Sequence, residues 1–147
     1  MSSIDAWCHT GSIEINCEAV MALDYVADGI KQGEWALGSI DRREIGDGLF
    51  EGTSMFGAGT EYIRIRVDRD NHVVYYDVGH SLDDLRTLNV IRVVPGSTLG
   101  VAEDNCIVTL LSWRPEGTPD EAWARNSVSH ETEMYIIKAR LESRRST

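Results

Sequence analysis

The chain has 147 residues, 42% of them hydrophobic and 26% charged, which is the make-up of a single soluble domain able to bury its own core. A formal net charge of −10 argues against nucleic acid and against an anionic membrane surface, since both need clustered lysine and arginine. Three cysteines (Cys8, Cys17, Cys106) at irregular spacing fit neither a disulfide framework nor a zinc motif. Residues Met1 to Thr10 lack an apolar signal core, and no apolar run approaches the roughly 20 residues of a membrane span, so a reducing cytoplasm is expected.

In chain order, Ser12 to Cys17 alternates and predicts a half-buried strand with Ile13, Ile15 and Cys17 on one face. A helix follows, with Val20, Leu23, Val26, Ala27 and Ile30 on one side and Gly29 or Gly33 able to end it. Lys31 to Trp35 can add a short helical turn. From Ala36 to Arg114 the pattern changes to strand after strand. Ala36–Ile45 and Leu49–Phe56 flank Gly46-Asp47-Gly48, and Gly57-Ala58-Gly59 makes the next reversal. Thr60–Asp68 sets Ile63, Ile65 and Val67 against Tyr62, Arg64 and Arg66. His72–Gly79 presents Val74, Tyr76 and Val78, after turn residues Asp68 to Asn71. Leu85–Val94 and Asn105–Arg114 complete the set, and both faces of Leu85–Val94 are mixed, so its inward side is left open.

The last stretch is a long helix from Pro119 to Arg144, roughly 39 Å at about 1.5 Å per residue. Thr118 can cap it, Pro119 suits its first position, and Glu121 can complete a capping box. Trp123, Ser127, His130, Met134, Ile137 and Leu141 form one stripe on it, apolar towards the end but polar in the middle. The polar tail Ser143–Thr147 is expected to fray. Six sequential strands with short turns make an antiparallel meander, and its apolar face must be covered. The C-terminal helix is the only element large enough. The expectation is one α+β domain over residues 1–147, its core spanning about 12–141.

The run Ile15-Asn16-Cys17-Glu18-Ala19-Val20-Met21-Ala22-Leu23-Asp24-Tyr25-Val26-Ala27-Asp28, with this element order, resembles the superfamily of START, polyketide-cyclase and birch-pollen-allergen-like (SRPBCC) domains. Tyr25-Val26-Ala27-Asp28 matches the end of the first helix in that family, and Glu18 departs from it where proline is usual. The resemblance runs from about Ser12 to Leu141. It implies a helix-grip fold, a seven-stranded curved antiparallel sheet wrapped round the long helix, with a hydrophobic cavity between them. Members bind lipids, sterols, polyketides and other apolar molecules, and some are cyclases or aromatases. No family-wide catalytic motif transfers to particular residues here, so no catalytic residue is assigned.

Candidate ligand contacts come from the polar middle of the long helix and from large or polar side chains near the apolar faces. His130, with Asn126 and Glu133 within a turn, could orient a ligand oxygen or hold a proton, or could be a satisfied, half-buried histidine. Ser127, Trp123 and Met134 share its stripe. Trp35 and Trp113 offer large walls with one N–H each, the ordinary alternative being core packing. Tyr76 and Asn89 are the placed hydrogen-bonding groups of a mostly apolar pocket if they point inward. No metal or cofactor is expected: His80 with Asp83 and Asp84 is a weak set, and Asp68, Asp70 and Asn71 lack the glycine and distal glutamate of a calcium loop. Three functions compete: a module binding an apolar small molecule, a polyketide cyclase or aromatase using the same cavity, and an interaction protein whose cavity has collapsed. Membrane insertion is not expected, and a homodimer is left open.

Overall fold

The computed structural model describes residues 2–4, 6–57 and 59–145. Segments rich in β-branched and aromatic residues form strands, because such side chains pack well on a pleated surface. β1 (Ser2–Ile4) and β2 (Cys8–Ile15) come first. Helix α1 (Ala19–Ala27) follows, then a short 3-10 turn at Lys31–Glu34. Next are β3 (Ile40–Gly46), β4 (Leu49–Thr53), β5 (Thr60–Asp68) and β6 (Val73–Gly79). β7 (Arg86–Pro95) and β8 (Cys106–Trp113) lead to the long helix α2 (Asp120–Arg145). All strands join one antiparallel sheet in the order β1-β2-β8-β7-β6-β5-β4-β3. The expected seven strands and terminal helix are present as an α+β helix-grip arrangement, and β1 adds a short strand at one edge. No described helix is long and apolar enough to cross a membrane.

Several boundaries differ from the sequence reading. β2 begins at Cys8 rather than Ser12, because its backbone pairs with β8 from Cys8↔Trp113 to Ile15↔Cys106 whatever the side-chain alternation. Asn16 and Cys17 therefore lie past its end. β3 starts at Ile40 rather than Ala36, and β4 stops at Thr53 rather than Phe56. α1 is shorter than its apolar pattern, so Ile30 falls beyond it and is exposed, as is Val20. Tyr25 is buried instead, and its hydroxyl donates to Glu34 Oε1 at 3.0 Å. Val67 is also exposed, near the end of β5. Of the tail expected to fray, residues 143–145 continue α2, and residues 146–147 lie outside the described residues, as does Ala58 of the Gly57–Gly59 reversal.

The core sits under the C-terminal half of α2. Met134, Ile137 and Leu141 pack there with Ile15, Val74, Ile91, Val93 and Val108 from the sheet and with Ala22, Leu23 and Val26 from α1. Helix α2 crosses β2 at Gly11, where a Cβ would already lie 4.0 Å from Met134 Cγ. Two polar staples fix that crossing: Lys138 Nζ donates to the Glu14 carbonyl at 2.6 Å, and the Asn16 amide donates to Glu142 Oε1 at 3.0 Å. Gly29, just after α1, is a second close approach, since a Cβ there would run into the ring of buried Phe50. We expect Gly29→Ala to lower stability by about 1–3 kcal/mol in urea denaturation, the usual cost of overpacking a core. A change below about 0.5 kcal/mol, the range of ordinary surface substitutions, would contradict this packing.

Candidate functional site

The N-terminal half of α2 faces the sheet differently. Trp123, Asn126, His130 and Glu133 recur at helical spacing and line a pocket of about 690 Å³. The facing wall is Ile63 on β5, Tyr76 and Val78 on β6, Leu88 and Asn89 on β7, and Leu110 and Ser112 on β8. A third side comes from the chain between α1 and β3, through Gln32, Trp35 and Ser39, and from Arg42 on β3 itself. Phe56, Asp84, Arg86 and Trp113, all exposed, border its mouth.

The pocket wall is more polar than an ordinary core. Gln32 Oε1, Trp35 Nε1, Ser39 Oγ, Arg42 Nη1, Asn89 Oδ1 and His130 Nδ1 are cut off from solvent and have no hydrogen-bond partner among the described residues. Buried polar groups are nearly always satisfied. A set of them around one pocket marks a place where water or a guest molecule completes the bonding.

Arg42 reaches the pocket through a local distortion of β3. The register shifts between Ile40 and Arg43, and Asp41 takes the left-handed conformation at φ 54°. A bulge of this kind re-aims the side chain that follows it. The Arg42 Nε–H then donates to the Ser39 carbonyl at 2.9 Å. Burial pushes the guanidinium down to about 10, with Tyr76, Glu61 and Glu133 acting the other way.

Glu133 is buried, and its Oε1 accepts the Leu37 amide at 2.9 Å. Burial pushes its carboxyl up to about 8, against the opposing pull of that amide and of Arg42, so it is largely protonated at neutral pH. Burial also raises Glu61, opposed by His80 and Arg42. His130 goes the other way, to about 4, through burial and the neighbouring His9, and is neutral. Its ring stacks on that of His9, with centroids 5.5 Å apart. Among the described residues no three His, Cys, Asp or Glu side chains stand where they could share a metal ion.

No family model matches the sequence, and no curated protein matches it. Solved structures do match. A START superfamily protein from Mycobacterium smegmatis aligns with TM-score 0.69 at 8% identity, over 94% of this chain and 99% of the other. The Zhui aromatase/cyclase from a Streptomyces species aligns with TM-score 0.66 at 14% identity, over 93% and 94%. An uncharacterised protein from Bacillus thuringiensis aligns with TM-score 0.69 at 13% identity, over 91% and 98%. The chain has the START-like helix-grip fold. At these identities the likeness carries the fold alone.

Within this START-like fold, the residues singled out from the sequence divide clearly. His130, Asn126, Trp123, Tyr76, Asn89 and Trp35 line the pocket, and Trp113 stands at its exposed rim. Ser127 and Met134 do not line it. Ser127 is fully buried and donates its hydroxyl to the Trp123 carbonyl one turn back at 3.1 Å, while Met134 lies in the core beside Gly11. The helical stripe is wide enough that these two fall on the side packed against the sheet, while Asn126 and Glu133 turn to the pocket. Tyr76 offers only its ring, because its hydroxyl donates to the Val26 carbonyl. Glu133 does not pair with His130, since its carboxyl is held by Leu37 instead. Sequence reasoning missed Arg42, Gln32, Ser39, Glu61 and His9. The Asp41-Arg42-Arg43-Glu44 run reads as a solvated edge, and only the bulge turns Arg42 inward.

The Glu133 shift makes a stability prediction. A carboxyl raised from 4.5 to about 8 keeps in the folded state a proton that the unfolded chain gives up. Its contribution is complete below about 4.5 and lost as pH rises through about 8. Relative to Glu133→Gln, which retains an oxygen for the Leu37 amide, the wild type should lose stability between pH 6 and 8.5 by up to about 1.4 kcal/mol per pH unit. Parallel pH profiles of the two proteins in thermal melts would contradict it.

Proposed function

We propose that the protein binds a small, largely apolar molecule in the pocket between the N-terminal half of α2 and the concave face of the sheet. One observation carries this reading: the wall combines apolar surfaces (Trp35, Ile63, Tyr76, Leu110, Trp123) with buried polar atoms that have no partner among the described residues. That is the composition of a ligand site, in which apolar walls supply affinity and a few polar groups set orientation. Enclosure removes ligand surface from water at roughly 25 cal/mol per Å². The fold is shared with a START superfamily protein and an aromatase/cyclase, which supports the same reading. Three cysteines at irregular spacing suit a reducing cytoplasm.

Gly38 provides the test. It lines the pocket, and a Cβ placed on it meets nothing within 4 Å. Gly38→Phe should therefore fill the pocket without disturbing the fold. The wild type is expected to bind the uncharged dye N-phenyl-1-naphthylamine saturably, one per chain. Gly38→Phe should weaken that binding at least tenfold with an unchanged melting temperature. Equal binding by both proteins, or none by the wild type, overturns the proposal, and the latter favours a collapsed interior with its work done on an outer face.

A second reading, a polyketide cyclase or aromatase acting in the same pocket, is favoured by Glu133, whose carboxyl titrates close to neutrality beside the pocket wall. Glu133→Gln should then stop turnover of a linear poly-β-ketone while its binding persists. If the wild type binds such a chain and leaves it unchanged, this reading falls.

A further inference from the structure

We propose that the guest of this pocket is an amphipathic organic anion, with its charged oxygens seated on the Arg42 guanidinium and its apolar body along Trp35, Ile63, Tyr76 and Leu110. This rests on the reading that the pocket binds a small molecule, and it fixes the chemical class of that molecule.

Three features of the wall single out Arg42. First, the guanidinium is held but not neutralised. Its Nε–H is used by the Ser39 carbonyl, its Nη1 has no partner, and among the described residues no carboxylate lies within the 4.0 Å of an ion pair. An arginine removed from water normally takes a carboxylate or phosphate on its planar fork. Second, the site is built to keep it there. The bulge at Asp41 aims the side chain inward, and two glycines clear its path. A Cβ at Gly33 would lie 3.1 Å from Arg42 Cγ. One at Gly52 would run into Ser39 Oγ and lie 2.9 Å from the Ile40 carbonyl oxygen and 3.1 Å from Arg42 Cδ. Third, Trp35 and Ser39, each more than nine-tenths buried, add an indole N–H and a hydroxyl to the same wall, both without a partner among the described residues. Of the two nearby carboxyls, burial pushes Glu133 up to about 8, so it is largely protonated at neutral pH, and raises Glu61 in the same direction against the pull of Arg42 and His80.

The test compares 2-naphthoate with 2-naphthalenemethanol, which share a ring system and differ in charge. Each displaces bound N-phenyl-1-naphthylamine from the full chain at pH 7. The wild type should favour the acid at least tenfold. Arg42→Gln should remove that preference by weakening the acid alone, and Arg42→Lys should keep part of it. Equal affinities in the wild type overturn the proposal without needing any variant. A wild-type preference that survives in a folded Arg42→Gln protein also overturns it, by locating the anion elsewhere. If the dye binds and only the preference is missing, the pocket reading stands and the anion inference fails. If the dye itself does not bind, the pocket reading fails and takes this inference with it.

Discussion

One helix of 26 residues, α2, supplies side chains both to the packed core and to the pocket wall. This double use is the constraint on which the rest of the structure depends. The C-terminal half of α2 meets the sheet closely, over Gly11, and Met134, Ile137 and Leu141 fill the space between them. Towards its N-terminus the side chains that line the pocket are Trp123, Asn126, His130 and Glu133. One helix thus does two jobs with one stripe. The apolar end holds the domain together, and the polar end walls a pocket. The staples at Glu14 and Asn16 sit at the packed end, where they fix the helix position without closing the pocket.

Burial then decides the charge state of the pocket. A carboxyl removed from water prefers to keep its proton, and an imidazole prefers to lose it, so Glu133 and His130 are both shifted towards neutrality. Arginine has no such escape near neutral pH. Even pushed down to about 10, Arg42 remains charged. The same desolvation that shifts Glu133 and His130 towards neutrality leaves Arg42 charged on the inner wall, in a protein whose overall charge is −10. The bulge at Asp41 and the glycines at 33 and 52 are the backbone features that make room for that side chain.

Much of this was legible in the residues, and the exceptions have physical causes. The strands Thr60–Asp68 and His72–Gly79 and the long helix showed because their periodicities are strong, whereas Leu85–Val94, mixed on both faces, showed as a strand without a legible inward side. β2 was placed too late because Cys8 to Gly11 has no apolar alternation, and its strand character comes from backbone pairing with β8. The lining residues of α2 were found by helical spacing, yet Ser127 and Met134 came with them, since a stripe does not say which edge faces a gap. Arg42 was invisible because a strand read at period two sends its charged run to solvent, and a left-handed residue such as Asp41 cannot be read from residue type alone. His9 was missed for the same reason as the start of β2.

The most direct measurement is the indole region of a proton–nitrogen NMR spectrum, recorded while N-phenyl-1-naphthylamine is added. The four tryptophans sample different places: Trp35 and Trp123 on the pocket wall, Trp113 at its rim, and Trp7 exposed and outside it. The account predicts saturable shifts of the Trp35 and Trp123 signals with that of Trp7 unmoved. Movement of Trp7 alone, or no movement of Trp35 and Trp123 at saturating dye, would contradict it.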